Sequence, residues 1–140
     1  MRTIAVLLIP FLIVSCSTRS STETTTVEDT SASENEWSIM DEFHMLMAES
    51  YHPYLDSGNL EPAKQMAPEM VALAEKWATS SLPKKVDNEK VQVMLNDLKE
   101  QVTDFAGVAS GDDEDAIATA LTQVHDHFHK IEEAWYKGVD

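Results

Sequence analysis

The sequence predicts an all-α protein whose folded part is an up-down-up-down four-helix bundle. From residue 37 onward the apolar residues recur at spacings of three and four, which is the period of one helical face. The 140 residues include only four glycines and five prolines, which disfavours an all-β fold with many turns. The span 37–140 is long enough to hold one hydrophobic core without disulfides.

The first two predicted helices each carry one apolar face. The first begins at Trp37 and stops at Pro53, because the residue before a proline is disfavoured in the helical region. Its predicted inward residues are Trp37, Met40, His44, Met47 and Tyr51. The second runs from about Pro62 to Ser80, and Pro68 is expected to kink it or delay its start. Its predicted inward residues are Met66, Met70, Leu73 and Trp77.

The last two predicted helices have the more regular patterns. The third is capped by Asp87 or Asn88 and stops at Gly111. Its inward residues are Val91, Leu95, Leu98, Val102, Phe105 and Ala109. The fourth begins in the acidic run 112–115, which lacks the ligand spacing of an EF-hand and is interpreted as helix capping, and it ends at Lys137. Its inward residues are Ile117, Leu121, Val124, Phe128, Ile131 and Trp135.

The chain before residue 37 has the composition of a targeting segment followed by a tether. Arg2 precedes an apolar run over residues 4–14, which is typical of a secretory signal and too short for a permanent membrane span. Residues 16–36 are rich in Ser, Thr and Glu and are predicted to be disordered. The predicted organisation is therefore a signal peptide (1–15), a tether (16–36) and the bundle (37–140).

The residues Ile13-Val14-Ser15-Cys16 resemble the bacterial lipobox, in which a cysteine is lipidated and becomes the mature N-terminus. The resemblance implies a bacterial envelope lipoprotein held by acyl chains, palmitate among them, on Cys16, and two or more such chains suffice for stable membrane attachment. Ser17 follows the cysteine, and by resemblance to lipoprotein sorting in enteric bacteria this favours the outer membrane. The alternative is an ordinary cleaved signal with an incidental cysteine.

The composition excludes several classes of function. The formal net charge of -15 would repel nucleic acid, so no nucleic acid partner is expected. The single cysteine excludes internal disulfides, zinc ribbons and covalent haem attachment. The serines cluster in the tether and no nucleophile constellation is present, so we expect no enzymatic activity.

The histidines are unevenly placed, because all five lie on the first and last helices. In an up-down-up-down bundle these helices are antiparallel neighbours. His125 and His129 are four residues apart and leave one helical face together, which is the spacing that lets two imidazoles bind one metal ion. At ~1.5 Å per residue, His44 and Met40 lie about 13 and 20 Å below the top of the bundle, and His125 and His129 about 18 and 24 Å below it, so the two pairs overlap in height. His52 is predicted to lie out of reach, and His127 to be exposed.

The sequence therefore predicts a transition-metal site whose ligands are His44, His125, His129 and Met40. Three imidazoles and a thioether suit copper, while three imidazoles with water or a carboxylate suit zinc. Asp41 and Glu132 are candidates for extra ligands or for acceptors that orient the rings. The alternative is a set of solvated or hydrogen-bonded histidines without a metal.

A methionine of the first helix opposite histidines of the last resembles the four-helix cytochromes of the b and c-prime types, in which such residues ligate haem. That resemblance carries over to Met40 or Met47 with His125 or His129, and the missing C-x-x-C-H motif leaves only non-covalent haem. The segments around His44 and His125 also resemble uncharacterised secreted bacterial bundles suspected of metal handling.

The predicted function is an envelope lipoprotein that binds copper or zinc for buffering, sensing or transfer. The alternatives are a module that contacts another envelope protein, and a haem-binding bundle.

Overall fold

The computed structural model describes residues 37–138, in which four helices follow one another. They are α1 (Ser38–Ser57), α2 (Glu61–Thr79), α3 (Glu89–Ala109) and α4 (Glu114–Lys137), and no strand occurs in this range. Each helix packs against the next, and α1 contacts α4, so the predicted four-helix bundle is confirmed. The seam between α1 and α4 is the least extensive of the four. The predictions for the signal peptide, the tether and Cys16 concern residues outside this range.

Side-chain caps fix where α3 and α4 begin. Asn88 Oδ1 accepts a hydrogen bond from the Val91 N–H at 3.0 Å, and Asp113 Oδ1 accepts one from the Ala116 N–H at 3.0 Å. Each cap satisfies a backbone donor that has no partner within its helix. The interpretation of the acidic run as a helix cap therefore holds for Asp113.

The last turn of α4 carries an exposed ion pair. Lys137 Nζ lies 2.7 Å from Glu133 Oε1, one helical turn away. This hydrogen bond and its charge lower the pKa of Glu133 and raise the pKa of Lys137. A cation here also meets the negative end of the helix dipole.

Two prolines, Pro53 and Pro68, lie in helices beyond the first turn. The prediction that the first helix stops at Pro53 is wrong, because α1 continues to Ser57. A proline removes one helical hydrogen bond but does not by itself prevent the next residues from being helical. The helix ends instead at Gly58, whose φ of 71° lies in the left-handed region that glycine tolerates. Pro68 does not delay α2, which begins at Glu61.

The predicted inward faces of α3 and α4 are confirmed at all positions. The six apolar residues predicted for each helix are buried. For the first helix the prediction is right for Trp37, which directly precedes α1, and for Met40 and Met47. Tyr51 is partly buried against the core, and the prediction is wrong for His44, whose side chain is 50% exposed. Phe43 takes the inward position, since burying a phenyl ring releases more free energy than burying an imidazole.

Small side chains line the inner face of α2. Alanines are buried where longer side chains were expected, and Met66 and Leu73 are only partly buried. The buried alanines are Ala63, Ala67, Ala74 and Ala78. Their small side chains occupy little volume and so leave room inside the bundle for large rings.

Aromatic rings fill the core near the end at which α1 begins. The Trp77 ring lies 5.1 Å from Trp37, 5.5 Å from Phe43 and 6.3 Å from Phe128, measured between centroids. Trp135 packs on the other side of Trp37 at 5.5 Å. We call these five residues the aromatic cluster; it holds α1, α2 and α4 together.

His127 is buried, which corrects the prediction that it is exposed. It is 8% exposed and lies between α3 and α4. Its Nε2 lies 2.8 Å from the Met94 carbonyl oxygen, and its Nδ1 lies 3.2 Å from Gln101 Nε2. A carbonyl only accepts, so Nε2 carries the proton and Nδ1 accepts from the amide. The neutral ring thus satisfies both of its nitrogens inside the protein.

Replacing His127 with alanine is expected to lower the free energy of unfolding by about 1–3 kcal/mol, because two buried hydrogen bonds are lost and the Gln101 amide is left unpaired. Urea denaturation followed by circular dichroism measures the change. His52→Ala is the matched control, since His52 is exposed. Equal stability of the two variants would contradict a structural role for His127.

Candidate functional site

The three histidines predicted as ligands lie along the seam between α1 and α4. His125 and His129 project from α4 one turn apart, with ring centroids 4.4 Å from each other. His44 projects from α1, and its ring centroid lies 6.5 Å from that of His129. The structure therefore brings together side chains from the first and last helices. We call these three residues with Glu132 the histidine cluster.

Two nitrogens of this cluster point at each other. His125 Nε2 and His129 Nε2 are 3.1 Å apart. The His125 ring stacks on Tyr51 of α1, with centroids 3.9 Å apart and an interplanar angle of 15°. His44 packs on Phe128 with centroids 5.2 Å apart. These ring contacts limit how far the imidazoles can turn.

Carboxylates contact the outer nitrogens of the same rings. Glu132 Oε2 lies 2.8 Å from His129 Nδ1, and its Oε1 lies 3.8 Å from His44 Nδ1. Asp126 Oδ1 lies 3.2 Å from His125 Nδ1. The sequence pointed to Glu132 as an acceptor for the rings and missed Asp126. Asp41, the other carboxylate considered, is exposed and forms no ion pair within residues 37–138.

These contacts determine where the ring protons lie. An ionised carboxylate only accepts hydrogen bonds, so a neutral His125 or His129 carries its proton on Nδ1. Both Nε2 atoms then present lone pairs to each other at 3.1 Å. Two lone pairs at that separation repel, and a proton or a metal cation between them relieves the repulsion.

The cluster is partly open to solvent. The side chains of His125 and Glu132 are each 23% exposed, while that of His129 is 46% exposed. Met40 lies in the hydrophobic core with 2% exposure, and His52 is exposed. As the side chains stand, no group of three or more His, Cys, Asp or Glu in the described range is arranged to hold a metal ion. The two predicted ligands whose nitrogens point at each other are His125 and His129.

No known protein family, curated protein or solved structure matches this chain. Among the helices of residues 37–138, none combines the length and apolar character needed to cross a bilayer. The geometry of the described side chains is therefore the basis for a functional proposal.

Proposed function

We propose that the bundle binds one transition-metal ion, copper or zinc, through Nε2 of His125 and His129. The observation that supports this is the 3.1 Å separation of these two nitrogens, each on a ring whose Nδ1 lies against a carboxylate. Metal-bound histidines commonly donate their second N–H to a carboxylate, which fixes the tautomer and makes the other nitrogen a better ligand. Glu132 and Asp126 occupy that position here.

The spacing of the two nitrogens suits a shared ion. Two nitrogens at about 2.0–2.1 Å from one zinc ion are about 3.3–3.4 Å apart at a tetrahedral angle. At the right angle of a square-planar copper site they are about 2.9 Å apart. The observed 3.1 Å lies between these values, so small rotations of the rings produce either geometry.

A third ligand is available from α1. The His44 side chain is half exposed, and its Nδ1 already lies 3.8 Å from the carboxylate that contacts His129. A turn of this side chain toward the pair gives a third donor, and water completes the site. Because Met40 is in the core, the proposal does not depend on its sulfur.

The surroundings favour a metal ion over haem. The interior of the bundle beside α1 and α4 is filled by Phe43, Trp77 and Phe128, which are fully buried. His125 and His129 lie at the edge of the seam, where solvent reaches both rings. An ion with open positions fits such an edge, whereas a porphyrin needs an apolar slot between helices.

We propose that the protein buffers, senses or passes on this metal in the bacterial envelope, anchored by lipid on Cys16. A partly exposed site with water among its ligands exchanges its ion readily, which suits these roles. The strongly acidic chain also raises the local concentration of cations. No step of this role requires the protein to catalyse a reaction.

Titration of the chain from residue 37 with Cu²⁺ and with Zn²⁺ in a calorimeter tests the proposal, after circular dichroism has shown that it is helical. We expect about one equivalent to bind. The double variant His125→Ala/His129→Ala is expected to lose binding. Glu132→Gln is expected to weaken affinity by about 10- to 100-fold, because the ring of His129 loses its carboxylate partner.

His52→Ala is the matched control, since it removes an exposed imidazole outside the histidine cluster. It is expected to bind metal as the parent chain does. Equal binding by the parent chain and the double variant would overturn the proposal, as would the absence of binding by the parent chain. A visible absorption spectrum of freshly isolated protein tests for haem directly.

A further inference from the structure

We propose that a groove on the outer face of α1 and α2 binds a basic amphipathic helix of a partner protein. The α1–α2 groove is open to solvent and has a volume of about 580 Å³. Its walls include Met45, Leu46 and Glu49 from α1, and Glu69, Ala72 and Leu73 from α2. The groove lies on the side of α1 that faces α2, whereas the histidine cluster lies on the side that faces α4. The inference is therefore independent of metal binding.

The groove offers apolar surface to solvent. Met45 is 64% exposed, among the most exposed large apolar side chains in the described range. Leu46 and Leu73 are partly buried against the core and present their remaining surface to the groove. A flexible thioether at such a site can adapt to the side chains of a partner.

The shape of the groove suits a helix. On each helix the lining residues follow the first one by three, four and seven positions. They run from Glu42 to Glu49 on α1 and from Glu69 to Lys76 on α2. Each set spans about 10 Å along its helix axis, which is roughly two turns. A groove between two antiparallel helices can receive the apolar face of a third helix.

The charges of the groove specify a basic partner. Glu49 and Glu69 flank it from opposite walls, and neither forms an ion pair within the described part of the chain. Lys76, its one cation, is bound to Glu42 with a distance of 3.1 Å between Nζ and Oε2. Lysine or arginine residues beside the apolar face of an incoming helix would pair with the two free carboxylates.

A second copy of this chain is a poor occupant. The described range carries nineteen acidic side chains and eight lysines, so the helices of a second copy would bring further negative charge to the groove. The like charges of Glu49 and Glu69 would oppose that association. The occupant is therefore assigned to a different protein whose helix carries the opposite charge.

The test uses a synthetic helical peptide with leucines on one face and lysines on the other, labelled with a fluorophore. We expect saturable binding to the chain from residue 37, measured by fluorescence anisotropy after circular dichroism has shown that this chain and each variant are helical. Met45→Lys is expected to weaken it at least about tenfold, because it removes apolar contact and adds a like charge to the groove. A peptide of the same composition in scrambled order, which has no apolar face, is expected to bind at least about tenfold more weakly.

Val93→Lys is the matched control, because Val93 is an exposed apolar residue of α3, distant from the groove, and the variant has the same net charge as Met45→Lys. It is expected to change the affinity less than about twofold. Equal weakening by the two variants would show attraction by net charge alone and would overturn the proposal. The absence of saturable binding to the parent chain would also overturn it.

Discussion

Replacing Trp77 with alanine is expected to lower the free energy of unfolding by about 3–5 kcal/mol. The ring of Trp77 is fully buried and contacts three other members of the aromatic cluster, so its loss leaves a cavity among Trp37, Phe43 and Phe128. For a domain of about this size, each kcal/mol lowers Tm by roughly 4–8 °C. The midpoint of thermal unfolding, followed by circular dichroism, should therefore fall by about 12 °C or more.

A second variant at this position separates the packing of the ring from its polar N–H, and a variant at the surface serves as the control. Trp77→Phe keeps most of the buried ring, and it removes the indole N–H, which has no hydrogen-bond partner in the described range. Its destabilisation should therefore be well below that of Trp77→Ala. Tyr136→Ala is the surface control, since Tyr136 is 66% exposed, and its effect should lie within about 0.5 kcal/mol. A loss below about 1 kcal/mol in Trp77→Ala would contradict a central role for the aromatic cluster.

Replacing Cys16 with alanine is expected to abolish lipid attachment and to release the protein from the membrane fraction. A lipobox requires the cysteine thiol, and the acyl chains that it receives contribute about 0.8 kcal/mol for each buried methylene group. Expression of the full chain in a bacterial host with labelled palmitate, followed by membrane fractionation, measures both effects. The parent chain should carry label and sediment with membranes.

The control for this prediction is Ser20→Ala, which changes a nearby small polar residue and leaves residues 13–16, which resemble a lipobox, unchanged. It should be labelled as the parent chain is. If Cys16→Ala were labelled and retained equally well, Cys16 would not be the attachment site. If neither the parent chain nor the control were labelled, the segment would be an ordinary signal.

The sequence was sufficient to predict the starts and the inward faces of α3 and α4. Each has one continuous apolar stripe and an Asn or Asp cap directly before it, so period and end signals agree. Asn88 and Asp113 both act as the sequence indicated. Where the hydrophobic period and the cap residues agree in this way, tertiary packing does not change where the helix begins or which face is buried.

The sequence was less informative for α1 and α2. In α1, Phe43 and His44 both fit the three-four spacing, and only competition for the core decides that the phenyl ring faces inward. Alanines carry a weak apolar signal, so the inner face of α2 was assigned to its longer side chains. His127 looked exposed because the partners that satisfy it, Met94 and Gln101, lie on another helix.

Part of the histidine cluster was predictable because it depends only on spacing within one helix. The four-residue spacing of His125 and His129 is a local property, and it was sufficient to identify the pair. The stacking of Tyr51 on His125 depends on how α1 is rotated about its axis, which the sequence does not determine. Asp126 directly follows His125 in the sequence, and the side chains of adjacent residues on a helix usually point apart. The sequence therefore did not indicate that Asp126 contacts His125.

The seam between α1 and α4 joins the two helices that are furthest apart in the chain. Contacts between consecutive helices close only short loops, whereas this seam requires α2 and α3 to be in place. The entropy lost on closing a loop grows with the length of the loop. Because the seam is also the least extensive of the four, it is the part of the bundle expected to form last. His44 meets His125 and His129 only when that step is complete, so an ion bound by all three side chains would report a fully folded chain.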